Sequence, residues 1–182
     1  GKKCENPITV VTLPTILEDL KNQRTRYGSV LGYYEYKGLV TTEGARSLQT
    51  GEININMIPV DETEHVAVFV IEHQSIKVIY APCDVKPFPH SALFYDADVL
   101  IIGNTIVGDV LKEGFVLQKD NPLREELFTM EEVVALRDKY RIKELIITHL
   151  EEDWGKSYDD YKELEKQYEN VRFAYDGLEL LF

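Results

Sequence analysis

The chain has 182 residues, of which 44% are hydrophobic and 29% are charged, proportions typical of one globular domain over residues 1–182. Its formal net charge of −12 repels a phosphate backbone, so nucleic acid is not an expected partner. No apolar run approaches the roughly 20 residues of a membrane helix, and Cys4 and Cys83 are too few for a disulfide framework. We therefore expect a cytoplasmic protein that does not bind membranes.

Strand and helix signals alternate along the chain. Short β-branched or alternating runs predict strands over residues 8–13, 53–60, 66–71, 76–80, 97–103, 144–148 and 171–175. Helices are predicted from capping boxes, which are Thr15 with Glu18, Thr129 with Glu132, and Ser157 with Asp160. The first helix is expected to run toward Tyr27. A helix between the strands at 97–103 and 144–148 predicts a crossover unit in an α/β protein.

Two of the predicted strands end in residues that carry chemistry. One runs into Ala81-Pro82-Cys83-Asp84, and the other ends at His149. Open sheets place ligands in the crevice outside the carboxyl ends of their strands. A carboxylate and an imidazole are ligands of zinc, manganese or iron, and a carboxylate can bridge two metals that activate a water molecule. Asp84 and His149 are therefore candidate metal ligands. Cys83 is predicted to be a small buried apolar residue, and the alternative is that it modulates a metal site or, if exposed, is oxidised.

Four segments between residues 77 and 150 carry a family resemblance. They are Lys77-Val78-Ile79-Tyr80-Ala81-Pro82-Cys83-Asp84, Ala97-Asp98-Val99-Leu100-Ile101-Ile102, Thr129-Met130-Glu131-Glu132-Val133-Val134 and Ile146-Ile147-Thr148-His149-Leu150. This series resembles the later motifs of metallo-β-lactamase-fold hydrolases, in particular their phosphodiesterase-like branch. The resemblance implies an αββα two-sheet sandwich in which Asp84 bridges two divalent metal ions and takes part in catalysis. It also implies that His149 binds the second metal ion.

The sequence departs from this family in its first part. The HxHxDH motif that supplies most metal ligands in the family is absent, because no two of the four histidines are two residues apart. The resemblance thus implies the carboxyl-terminal portion of the fold, with the amino-terminal portion missing. For the further ligand that the family places before the aspartate, His65 is one candidate, and Asp61 or Glu62 is the alternative.

The resemblance implies hydrolysis of a phosphodiester, in a small molecule or a nucleotide, by a metal-activated water in the intact protein. Lys156 and Ser157 could orient a phosphate at the amino end of the third helix, although Ser157 could instead serve only as the helix cap. The acidic residues 151–153 are predicted to form a solvated turn.

Two other functional classes stay open. With its early ligands absent, the chain would bind no metal and would act as a non-catalytic binding or assembly module. Such a module would pair through exposed sheet edges, in a homo-oligomer for example. An RNA-processing relative would need a basic patch, but residues 151–182 hold ten acidic and four basic side chains, which argues against that class.

Overall fold

The computed structural model describes residues 5–26, 28–83 and 85–181. In chain order the elements are β1 (Ile8–Thr12), α1 (Pro14–Asn22), β2 (Arg24–Thr25), β3 (Gly28–Ser29), α2 (Val30–Tyr36), β4 (Val40–Gly44), β5 (Ser47–Thr50), β6 (Ile53–Pro59), β7 (Ala67–His73), β8 (Ile76–Ala81), β9 (Val99–Gly103), β10 (Thr105–Ile106), α3 (Leu123–Glu126), β11 (Phe128–Thr129), α4 (Met130–Tyr140), β12 (Glu144–Thr148), α5 (Tyr158–Glu165) and β13 (Val171–Phe173). Within the described ranges, no helix has both the length and the apolar character needed to span a bilayer.

A seven-stranded sheet dominates the fold, in the order β13-β12-β9-β8-β7-β6-β5. The strands predicted over 53–60, 66–71 and 76–80 are neighbours in it, as expected, and they pair in antiparallel fashion. The strands β8, β9, β12 and β13 pair in parallel. Because α4 lies between the parallel strands β9 and β12 in the chain, the predicted crossover unit is confirmed.

Two of the three predicted capping boxes form. At the start of α4, the Thr129 N–H donates to the Glu132 carboxylate at 2.8 Å, and the Glu132 N–H donates to the Thr129 hydroxyl. The box at the start of α5 is also present. The predicted box at Thr15 is wrong, since α1 begins at Pro14 and the Thr15 hydroxyl donates to the Glu64 carbonyl instead.

The end predicted for the first helix is also wrong. Helix α1 stops at Asn22, and β2 begins two residues later at Arg24, while Tyr27 lies outside the described residues. Proline at the first helical position has its backbone already set for a helix, so α1 starts there without a side-chain cap.

Alternate residues of β7 pack against two different layers, because successive side chains of a strand point to opposite faces. Val68 and Val70 are fully buried in the large core, which contains Val133 of α4. Ala67 packs instead in a second cluster with Leu13, which follows β1. The strands β1 and β4 form a separate two-stranded parallel sheet. The large sheet therefore has α4 on one face and the small sheet with Ile16 of α1 on the other, a mixed α/β arrangement with two sheets.

Three parallel strands of the large sheet end at the same level. Ala81 at the end of β8 pairs with Ile102 of β9, and Gly103 at the end of β9 pairs with Thr148 at the end of β12. The segments that follow β8 and β12 therefore leave the sheet on either side of the end of β9. These are the segments in which metal ligands were predicted.

Candidate functional site

Gly103 marks the point where the three strand ends converge. A Cβ atom built on Gly103 would lie 3.4 Å from the Pro82 carbonyl carbon, 3.5 Å from the Cys83 nitrogen and 3.5 Å from the His149 Cβ. These are ordinary van der Waals distances. The two predicted strand-end segments are thus brought together across the end of β9, as their positions in the sequence predict.

The His149 imidazole is held at both of its nitrogen atoms. Its Nδ1 contacts the Cys83 thiol, and its Nε2 lies 2.7 Å from the Glu151 Oε1. The backbone of His149 has a φ of +53°, in a left-handed region where histidine is found more often than most residues. The side chain is 47% exposed, so solvent and a ligand can both reach this ring.

Sequence reasoning did not predict the contacts of Cys83 and Glu151 with His149. Cys83 is half-buried and makes a polar contact, so the prediction of a purely apolar role is wrong. Glu151 was predicted to belong to a solvated turn, yet its carboxylate holds the imidazole two residues earlier in the chain. The histidine at a strand end, followed by an acid two residues later, was the signal that could have found this pair.

Asp84 lies outside the described residues, but the loop that carries it is anchored. Val85 is 2% exposed. The Lys86 Nζ donates to the carbonyl oxygens of Arg124 and Leu127 and to both carboxylate oxygens of Glu132, at 2.8–3.0 Å. Hydrogen bonds from Lys86 therefore connect the segment after β8 to α3 and to the first turn of α4.

His65 and Asp61 lie between β6 and β7, at the sheet edge where β8 ends. The His65 Nδ1 is 3.2 Å from a carboxylate oxygen of Asp19 on α1. Asp61 accepts hydrogen bonds from the Thr63 hydroxyl and N–H, which hold the pKa of the Asp61 carboxyl below its ordinary value. Both side chains are thus engaged in local contacts, and their role as ligands stays a prediction.

Lys156 and Ser157 lie at the start of α5. The Ser157 hydroxyl accepts from the Asp160 N–H at 3.3 Å, and the Ser157 N–H donates to the Asp160 carboxylate at 2.7 Å. The Ser157 hydroxyl also donates to the Asp160 carboxylate at 2.7 Å, and this bond together with the one from the Ser157 N–H holds the pKa of Asp160 below its ordinary value. A carboxylate of the chain itself already faces this helix end, where an external phosphate would otherwise be attracted. The contacts of Ser157 agree with its role as a cap, and phosphate binding there stays a prediction.

The donor types at this edge are those of a zinc-like ion, since sulfur, imidazole nitrogen and carboxylate oxygen are its usual ligands. Among residues 5–26, 28–83 and 85–181, however, no group of three His, Cys, Asp or Glu side chains is placed to hold one ion. A catalytic zinc site uses three protein ligands. The described residues therefore fit part of a metal site, at Cys83 and His149, and a complete site requires further ligands.

Comparison with known proteins identifies the fold. No family model matches the chain, and no curated protein matches it in sequence. Among solved structures, it is similar to the metallo-β-lactamase-fold protein YhfI from Bacillus subtilis, with a TM-score of 0.60, 15% identity, and coverage of 97% of this chain and 66% of that one. It is also similar to a diphosphatase from the PhnP family, with a TM-score of 0.62 and 14% identity. That match covers 96% of this chain and 58% of the diphosphatase.

Zn²⁺-bound PqqB from Methylobacterium extorquens has a TM-score of 0.65 and 16% identity, with 97% of this chain and 65% of that one covered. The chain therefore spans less than two thirds of the length of each of these three structures. At such low identity the similarity establishes the fold. The chain has the metallo-β-lactamase fold, as its resemblance to that family implied.

Proposed function

We propose that the protein is a metal-dependent hydrolase that cleaves a phosphodiester in a small molecule or a nucleotide. The observation that carries this proposal is the placement of His149, held at both ring nitrogens beside the segment that contains Asp84. Two of the similar structures support it, since one is a diphosphatase and another binds Zn²⁺. Crevices at the carboxyl ends of strands are also where open α/β sheets bind their ligands.

Glu151 has a positioning role in this proposal. An ionised carboxylate only accepts hydrogen bonds, so its contact with Nε2 favours the tautomer of His149 that carries a proton on Nε2. The lone pair is then on Nδ1, which faces Cys83 and the end of β8. A carboxylate that orients a metal-binding histidine in this way is common in metal sites, and it makes the imidazole a better ligand.

In the proposed site two divalent ions would be held by Asp84, shared between them, by His149 and by either His65 or Asp61. When bound, two zinc, manganese or iron ions would lower the pKa of a water molecule and offset charge on the phosphoryl oxygens. Since the chain spans at most 66% of the similar structures, ligands beyond the residues described are part of the proposal.

A second candidate function is a metal-free binding or assembly module. It is favoured by the apolar side chains that α1 and α2 leave exposed, among them Leu20, Val30, Tyr33 and Tyr34. Leu20, Val30 and Tyr34 line a cavity of about 610 Å³ between the two helices, which is far larger than one side chain would fill. Such a surface is typical of a site for a partner protein, which includes a second copy of the chain.

A pair of histidine variants separates the two functions. His149→Ala removes a proposed ligand, whereas His73→Ala removes a histidine of similar exposure that also lies beside a glutamate, Glu52, at 3.5 Å. Zinc content after dialysis and hydrolysis of a chromogenic phosphodiester are measured on both variants and on the parent. We expect His149→Ala to weaken zinc binding at least about tenfold and to abolish hydrolysis, with His73→Ala like the parent. Equal zinc content in all three proteins would favour the module.

A further inference from the structure

The cavity between α1 and α2 is part of a larger apolar depression. A second cavity of about 250 Å³ lies beside the one of about 610 Å³ and shares its residues Val30 and Tyr34. We call the two together the α1–α2 cavity. The apolar side chains in its lining are Leu20, Val30, Leu31, Tyr33 and Tyr34. A partner that covered these side chains would remove apolar surface from water, and this removal favours association.

The α1–α2 cavity is positively charged, although the whole protein has a net charge of −12. Arg24 is the one charged side chain among the described residues that line it. The Lys37 Nζ lies 5.5 Å from the ring centre of Tyr33, in the same lining. Within the described part of the chain, neither Arg24 nor Lys37 forms an ion pair with a carboxylate. These cations favour a partner that is both apolar and acidic.

A segment of this chain has both properties. Residues 176–181, which we call the tail, follow β13 and contain no helix or strand. The tail holds three leucines, two acidic residues and no basic one. Leu181 is 93% exposed, and Asp176 and Glu179 form no ion pair with the residues that the structure describes. The tail therefore offers the apolar side chains and the negative charge that the α1–α2 cavity would attract.

The tail does not fill the cavity of its own chain. All the described residues that line the α1–α2 cavity lie between 20 and 34, and the exposure of Leu181 shows that this side chain packs against almost nothing. Each copy of the chain has one cavity and one tail. Two copies that exchange their tails would therefore satisfy both surfaces in a closed two-fold dimer.

We propose that the α1–α2 cavity binds the tail of a second copy of the chain. The leucines of the tail pack against the apolar lining, and the carboxylates of Asp176 and Glu179 lie near Arg24. This assignment rests on the assembly role proposed above for the same surface and names its partner, and it does not depend on the hydrolase function. Because an irregular tail loses conformational freedom when it binds, we expect reversible association that depends on protein concentration.

Sedimentation velocity over a series of protein concentrations tests the apolar part of this contact. We expect the parent to pass from monomer to dimer, and Leu181→Ser to weaken the dimer at least about tenfold, because a leucine side chain is no longer buried. Phe115→Ser is the control, since Phe115 is also exposed but belongs to neither the cavity nor the tail. It should dimerise like the parent.

A labelled peptide of residues 175–182 tests the charged part by fluorescence anisotropy. All receptor proteins carry Leu181→Ser, so that their own tails do not compete. We expect the peptide to bind, and the addition of Arg24→Glu to weaken binding at least about tenfold, because like charges then meet. A peptide with Glu179→Lys should bind this Arg24→Glu protein better than the unchanged peptide does. Lys119→Glu is the control, because Lys119 is exposed in the loop before α3 and its replacement should change nothing.

The assignment is overturned if the peptide does not bind, if the two serine variants dimerise alike, or if Arg24→Glu and Lys119→Glu have equal effects. A parent that dimerises and is disrupted by Arg24→Glu, but binds no peptide, would keep the assembly role and refute only the tail as partner. A monomeric parent that binds no peptide would overturn both, and the cavity would then serve another protein. Failure of the hydrolase function looks different, since zinc content would be equal in the parent and His149→Ala while the tail still binds.

Discussion

Replacing Lys86 with methionine should destabilise the protein and loosen the candidate site. The Lys86 ammonium group donates to two backbone carbonyls and to the Glu132 carboxylate, and its side chain is only 17% exposed. Methionine keeps most of the apolar stem but leaves these acceptors without their donor. Each unpaired buried acceptor costs about 1–3 kcal/mol, so loss of the donor to the two carbonyls should cost about 2–6 kcal/mol. Glu132 adds less, because it is 43% exposed.

Equilibrium urea denaturation measures this loss, and Lys143→Met is the matched control. Lys143 is 73% exposed and meets one carboxylate, that of Asp98, at 2.7 Å, so its replacement should reduce stability by only about 0–1 kcal/mol. Since Lys86 anchors the loop that holds Asp84, Lys86→Met should also weaken zinc binding in a calorimetric titration. Equal destabilisation by the two variants would refute the inference that the contacts of Lys86 hold this loop.

Three further changes test the structure. Glu151→Gln should weaken zinc binding about 10- to 100-fold while leaving stability unchanged, since it alters only the support of His149; unaltered affinity in a zinc titration would count against the positioning role. The hydrogen bond from Lys143 holds the pKa of the Asp98 carboxyl below its ordinary value, so Asp98 stabilises the fold above about pH 4 and this contribution fades as the pH falls further. Asp98→Asn should therefore lower the urea midpoint by more at pH 7 than at pH 3, and the same shift at both would contradict the assignment. Thr129→Ala should reduce stability by about 1 kcal/mol through loss of the α4 cap, which thermal denaturation can measure; no change would mean that the cap is dispensable.

Local signals in the sequence predicted the elements whose determinants are close together in the chain. The boxes at Thr129 and Ser157 form because donor and acceptor are three residues apart on one turn. The box at Thr15 fails because its hydroxyl finds Glu64, which is 49 residues away. A capping signal is therefore dependable only where no distant partner competes for the same hydroxyl group.

The candidate site shows the same division. The position of His149 at the end of a buried strand predicted it as a site residue. The resemblance to a known family predicted the fold of the chain, and the structural comparison confirms that fold. The pairing of His149 with Cys83 could not be predicted, since the two residues are 66 positions apart and meet only across the end of β9.

The sequence alone determined where strands end and which side chains follow them, because alternation and capping are properties of short stretches. Tertiary structure decided which of these side chains meet. The order of strands in the sheet places β9 between β8 and β12, and so brings Cys83 to His149. It also decided that Glu151 supports an imidazole instead of facing only water, since the left-handed backbone at His149 turns the chain at that point. Contacts of this kind depend on the packing of the whole sheet, which no short stretch of sequence contains.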